Sequence, residues 1–171
     1  MKNSGGILTI FFTVFFVTSL FGFFAYRYSK SIKNNNLSLL HSNIVLYKSE
    51  KALSILKDIE TGTRGFLITG DDAYLEKYNK WKDMVDTIMH ELKTLTRDNP
   101  VQHSAIDSIA VLTASKLQSC KMMQDFRRSD SFSLLSVQPL MLSNKQVMDS
   151  ITFLMVRIQT NERNLLTSSH D

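Results

Sequence analysis

Glu60 and Arg64 stand four residues apart with the acid N-terminal, the order and spacing that put a carboxylate and a guanidinium on one helix face as an ion pair. They lie in the run ETGTRGFLITG, residues 60–70, which holds Gly62, Gly65 and Gly70, half of the chain's six glycines. An interior glycine costs a helix about 0.8–1.0 kcal/mol relative to alanine. Gly62 and Gly65 are therefore expected to admit the backbone of a neighbouring helix, and Gly70 to stop the helix. An exposed Glu–Arg pair contributes only about 0.3–0.5 kcal/mol, so a structural role for it stands beside a ligand-facing or signalling one.

Other chemistry is sparse. No glycine follows Gly70, so no Gly-x-Gly or P-loop is present to hold nucleotide phosphates, and no catalytic residue is expected. A single cysteine, Cys120, leaves no internal disulfide and no cysteine-based metal cluster. His41, His90, His103 and His170 form no i, i+4 pair and no zinc spacing, and are read as solvated. Met84, Met89, Met122, Met123, Met148 and Met155 offer thioethers to a haem- or metal-binding bundle, but at helical spacing they read as core filling; no cofactor and no metal is expected. The formal charge of +4 resides in residues 1–33, where Lys2, Arg27, Lys30 and Lys33 meet no acid, and the remainder is neutral with its charges interspersed. Such a balance lacks the basic face that nucleic acid requires.

The elements that must position these residues are helical. Six glycines and two prolines, Pro100 and Pro139, are too few for an all-β or α/β chain of 171 residues. Ile7 to Tyr26 is uncharged over twenty residues, enough at about 1.5 Å per residue to cross a bilayer core of about 30 Å. It is read as an uncleaved anchor, since it exceeds a signal peptide's apolar run and no small-x-small site precedes Arg27. Arg27, Lys30 and Lys33 follow this span, and that bias alone would hold the following domain in the cytoplasm.

Four helical segments follow. The first, from Leu37 through Thr69, carries a drifting stripe of Leu37, Leu40, Ile44, Leu53, Leu56, Ile59 and Phe66. The second opens at Asp71 and Asp72 and repeats Tyr74, Tyr78, Trp81, Val85, Ile88, Leu92 and Leu95 at steps of four and three. Asn99-Pro100 opens the third, with Gln102 placed to complete a capping box and a stripe of Ile106, Ile109, Thr113, Leu117 and Cys120. The fourth is expected near Ser143, after a break around Pro139, and repeats Val147, Ile151, Leu154, Ile158, Asn161 and Leu165, with Asn161 as a polar interruption. Short connections make the packing antiparallel. The expected core includes Tyr78, Trp81, Val85, Ile88, Leu92, Leu117, Val147, Ile151, Leu154 and Ile158.

The run from Glu60 to Tyr78 resembles the third class of CHASE domains, extracellular sensory modules of bacterial histidine kinases, nucleotide cyclases and related receptors. That family's signature is an acid-Thr-Gly-x-Arg-Gly-aromatic-Leu-Leu-Thr-Gly run, an acidic turn and a Tyr-Leu pair. The matching residues are Glu60, Thr61, Gly62, Arg64, Gly65, Phe66, Leu67, Thr69 and Gly70, then Asp71, Asp72, Tyr74, Leu75 and Tyr78. Ile68 replaces a usual leucine, and Lys77 stands where proline is common. Similarity extends more loosely over residues 35 to 167, to Glu162, Leu165 and Leu166.

The resemblance implies an all-α protein, an N-terminal transmembrane helix followed by an antiparallel up-down-up-down four-helix bundle. Its parts would be a flank (1–6), a membrane anchor (7–26), a juxtamembrane segment (27–36), a sensory bundle (37–167) and a polar tail (168–171). It implies a single-pass protein of the bacterial inner membrane with the bundle outside, a small-molecule or protein stimulus, weak homodimerisation, and a histidine kinase or other transmitter in cis or in trans. Glu60, Thr61, Gly62, Arg64, Gly65, Phe66, Thr69 and Gly70 become the motif and signalling candidates. Family members continue into a second span and a transmitter where this chain has Thr167 to Asp171, which reads as a fragment, a truncated product or a stand-alone relative. A membrane-tethered interaction protein without a sensory role is the alternative from another class.

Overall fold

Buried residues recur at alternating steps of three and four along each long segment, the spacing that keeps one face of a 3.6-residue helix towards the same neighbours. The computed structural model describes residues 4–76 and 78–168, without side-chain surroundings for residues 4, 5, 7–11, 31–35 and 168. Helix α1 covers Ser4–Thr69, a 3-10 turn Asp72–Leu75, α2 Tyr78–Leu95, α3 Pro100–Arg127 and α4 Leu134–Ser168. The protein is all-α, with no strand among the described residues. It divides into two compact units, residues 1–40 and residues 41–171.

In the second unit, polar pairs give the direction of each helix. Lys48 of α1 reaches Glu91 of α2 at 2.6 Å, and Lys93 of α2 reaches Asp107 of α3 at 2.6 Å. The Tyr78 hydroxyl donates to the Leu117 carbonyl at 3.2 Å, so α2 and α3 run in opposite senses. Gln102 meets Glu162 and Lys116 meets Asn144, each at 2.7 Å, so α4 descends along α3. The helices alternate up, down, up and down. Arg163 approaches Glu50 at 3.5 Å, which brings the end of α4 level with the first bundle turns of α1.

Tyr78, Val85, Ile88, Leu92, Leu117, Ile151 and Ile158 are buried, while Trp81, Val147 and Leu154 pack against the core half-buried. Four expectations are corrected. Helix α4 starts at Leu134 rather than near Ser143, because the Ser133 carbonyl accepts the N–H groups of Ser136 and Val137 and the buried Val137 extends the apolar face. Pro139 is accommodated as the sixth helical residue, where it removes one hydrogen bond, that to the carbonyl of Leu135. Asn161 is exposed, and the polar members of α4's inward face are Asn144, Gln159 and Glu162. Leu37, Leu40, Tyr74 and Leu165 are exposed and Ile44 is half-buried, so those stripes are shorter than their apolar residues suggest.

The described part of the first unit, residues 4–40, is helical. Residues 27–36, the expected juxtamembrane segment, are helical and part of α1. Among the described residues no helix is long and apolar enough to cross a membrane; Ile7 to Phe11, the first quarter of the uncharged run, have no described surroundings. The flanking residues 1–3, Lys77 and residues 169–171, with His170, lie outside the described residues.

Candidate functional site

The motif residues build a reverse turn and one end of a polar network. Gly70 has φ +74°, the left-handed conformation that ends a helix, and its N–H donates to the Phe66 carbonyl at 2.8 Å. Thr69 donates its hydroxyl to the Gly65 carbonyl at 2.8 Å and accepts the Asp71 N–H at 3.1 Å. The Asp71 carboxylate accepts the Ala73 N–H at 2.9 Å and caps the 3-10 turn. The chain then doubles back along the helix it has left. A Cβ on Gly62 would stand 2.6 Å from the Tyr74 carbonyl oxygen, and one on Gly65 would overlap the Tyr74 ring. Both glycines therefore admit the returning chain and not, as expected from the sequence, the backbone of a neighbouring helix.

Two arginines from the end of α3 fasten this turn. Arg127 donates Nε–H to the Leu67 carbonyl at 3.0 Å, satisfying an acceptor that the end of α1 leaves free, and its guanidinium lies 4.5 Å from the Phe132 ring centre. Arg128 pairs with Asp72 at 2.6 Å and lies over Phe66, 4.9 Å from the ring centre. Cations here also meet the negative end of the α1 dipole.

Glu60 does more than pair with Arg64. Its Oε1 lies 2.6 Å from Arg64 Nη2, while its Oε2 accepts from Lys116 Nζ of α3 at 2.7 Å. The Lys116 side chain has no exposed surface. Its ammonium donates a second bond to Asn144 Oδ1 of α4 at 2.7 Å, and Asn144 Nδ2 returns one to the Lys116 carbonyl at 3.1 Å. One ion pair and one amide thus join α1, α3 and α4 inside the core. Thr63 extends the network through its hydroxyl, 3.5 Å from Gln124 Nε2. Beside it lies a cavity of about 10 Å³, bordered by Glu60, Thr63, Arg64, Cys120 and Asn144, about the room of one water.

Burial pushes the Cys120 thiol above its ordinary range against the pull of the Lys116 charge, so it is a packed thiol and not a reactive thiolate. Burial likewise raises the Tyr78 phenol to about 12, with smaller contributions from Cys120 and Asp125. Asp107, at the surface, is lowered chiefly by its hydrogen bond from Lys93. No group of three His, Cys, Asp or Glu comes together among the described residues. Met89, Met123, Met148 and Met155 are buried in the apolar cluster. His103 is half-buried, with Nδ1 unpartnered, rather than solvated.

Of the sequence candidates, Glu60 and Arg64 join the network, Thr61 lines a groove with Gly62 and Tyr74, and Gly65, Phe66, Thr69 and Gly70 shape the turn. Lys116, Asn144 and Thr63 were not singled out from the sequence. They were legible there as polar residues on the four-three rhythm, Lys116 between Thr113 and Cys120 and Asn144 four residues before Met148. The capping box is half formed: Asn99 accepts the Gln102 N–H at 3.2 Å, but the Gln102 side chain reaches Glu162 instead of turning back.

A family model, the CHASE3 domain, matches residues 36–171. No curated protein and no solved structure matches the chain.

Proposed function

The chain belongs to the CHASE3 domain family of sensory input domains, and on that premise we propose that it is the extracytoplasmic input domain of a bacterial membrane receptor, acting without catalysis of its own. The ion pair spanning α1, α3 and α4 carries this reading. An axial slip of one residue moves a helix about 1.5 Å, which lengthens and misaligns the two interhelical contacts of 2.7 Å that Lys116 makes. Apolar seams tolerate graded adjustment, whereas a buried ammonium must be either paired or costly. Glu60, Lys116 and Asn144 therefore hold α1 and α4 in one register, and a stimulus that shifts the helices must move to another. The ends that carry such a shift, marked by Glu50 and Arg163, lie together.

Anchoring rests on the uncharged run from Ile7 to Tyr26. Phe12, Phe15, Phe16, Phe21, Phe23 and Phe24 are exposed, and Thr18 turns its hydroxyl onto the Val14 and Phe15 carbonyls of its own helix, as a polar group in lipid must. The N-terminus is assigned to the cytoplasm and residues from Arg27 to the exterior. A phosphatase fused at Asp171 should be active, because its disulfides form only outside; a silent phosphatase with an active cytoplasmic reporter overturns the topology. The output partner, a histidine kinase or other transmitter, works in cis or in trans.

To test the input role, the chain is joined through a second transmembrane helix to a transmitter of measurable output. Lys116→Met, Glu60→Gln and Asn144→Leu should each shift basal output while the helical circular dichroism persists. Folded variants with unchanged output would refute the register mechanism.

A further inference from the structure

A second motif-lined feature remains, between the end of α1, the 3-10 turn and the start of α2. It is a groove of about 350 Å³, within the size range of small-molecule sites. Tyr74 and Trp81 supply aromatic surface, and Asp58 and Glu76 supply two carboxylates. Among the described residues neither carboxylate has an ion-pair partner, and no cationic side chain lines the groove. At its edge the Tyr74 carbonyl seats against α1, which it can do only because Gly62 lacks a Cβ.

We infer that this groove binds a small alkylated ammonium ion. Aromatic faces attract cations through their quadrupole, and they do so for methylated ammonium groups that have few or no protons to donate. Asp58 and Glu76 add the opposing charge without demanding directed hydrogen bonds. An anion would meet two carboxylates, and a neutral apolar ligand would gain nothing from either. The inference deepens the input role, on which it rests, by assigning the stimulus to a chemical class.

Trp81 is the chain's single tryptophan, so its fluorescence reports on the groove directly. The full chain in a maltoside detergent, free of choline headgroups, is titrated with choline chloride and with its neutral isostere 3,3-dimethylbutan-1-ol, at ionic strength matched with sodium chloride. Choline should change Trp81 emission saturably, and the isostere should not. Asp58→Asn and Glu76→Gln should each raise the choline Kd about three- to tenfold, with the fold intact because both side chains are exposed. Trp81→Phe, read by calorimetry, should weaken binding without abolishing it. No saturable change, equal binding of the isostere, or carboxylate variants with unchanged Kd would each overturn the site. Such a result removes the cation site alone, because the input role is tested separately by the output of the chimaera.

Discussion

Replacing Gly62 and Gly65 by alanine, with and without Tyr74→Ala, separates what the two glycines do. Alanine gains about 0.8–1.0 kcal/mol over glycine inside a helix, so with open space around them both substitutions would stabilise. At Gly62 the new Cβ would stand 2.6 Å from a backbone oxygen, and reaching an ordinary contact of 3.4 Å requires the Tyr74 carbonyl to retreat by about 0.8 Å. That carbonyl belongs to a turn already capped by Asp71. Overpacking of this kind costs about 1–3 kcal/mol, so Gly62→Ala should be destabilising by about 1 kcal/mol net. At Gly65 the obstacle is the Tyr74 ring, which is 47% exposed as a residue and is free to swing away at the loss of its contacts.

The double variants then differ in sign. Truncating Tyr74 removes the ring but leaves the carbonyl. Gly65→Ala should become stabilising by about 1 kcal/mol in the Tyr74→Ala background, whereas Gly62→Ala should cost the same in both backgrounds to within about 0.5 kcal/mol. Urea unfolding of the full chain in detergent, followed by helical circular dichroism, measures all four differences. If Gly62→Ala stabilises in both backgrounds, the returning chain does not lie against α1, and the reasoning about the turn fails.

Three further outcomes follow from the same structure. Glu60→Gln should cost more stability than Lys116→Met, about 3 kcal/mol against 1–2, since the first removes the one charge that balances a fully buried ammonium, leaving it only neutral acceptors, while the second leaves a carboxylate that is 17% exposed and still paired with Arg64; equal losses in urea unfolding would contradict this. The bundle should lose stability as pH rises from about 10, where Tyr78 ionises in the unfolded chain, towards about 12, where it ionises in the folded one, and the loss amounts to at most about 2–3 kcal/mol. Tyr78→Phe should start about 1 kcal/mol less stable at pH 8, having lost its bond to Leu117, yet lose less between pH 8 and pH 11; parallel profiles would refute the assignment. Gly70→Ala should destabilise by about 1 kcal/mol or more, because its φ is +74° and a Cβ there meets the Arg127 guanidinium; an unchanged midpoint would show the helix ending elsewhere.

The helices of the bundle were legible because steps of four and three leave no other reading, and Asn99-Pro100 marks the start of α3 with a cap that the structure forms. The inward face of α1 was harder to see. Ser42, Val45, Ser49, Ala52, Leu56, Ile59, Thr63 and Phe66 form its regular heptad of buried positions, with Ile55 and Leu67 buried beside it, and four of those eight heptad residues are serine, threonine or alanine. A reading that counts only large apolar residues substitutes Leu37, Leu40 and Leu53, and so drifts around the helix. Helix α4 shows the same effect: Asn144 and Glu162 occupy seam positions, and the apolar Val147, Leu154 and Leu165 beside them pull the apparent stripe to one side.

The polar residues that conceal the seams also make up the interior network, which is why the fold and the site were not equally readable. Periodicity marks the position of Lys116 as inward, but what makes a lysine acceptable there is known only from its partners on other helices. Lys116 is tolerable at zero exposure because Glu60 lies 56 residues earlier and Asn144 28 residues later, and no local rule links the three. The Glu60–Arg64 spacing pointed to the correct carboxylate but to half of its interactions, since an i, i+4 pair is visible within one helix and a contact across the bundle is not. The glycines were read correctly as places of close approach and wrongly as to what approaches, because a missing Cβ records that space is needed without recording the direction from which it is filled. Here the direction comes from Gly70: a left-handed residue at the end of α1 sends the chain back along the face it has just built, and Gly62, eight residues earlier, lies where the returning Tyr74 carbonyl must pass. The two parts of the motif are thus one device, a turn that folds back on its own helix and a carboxylate, two residues before Gly62, that fixes that helix to α3 and, through Lys116, to α4.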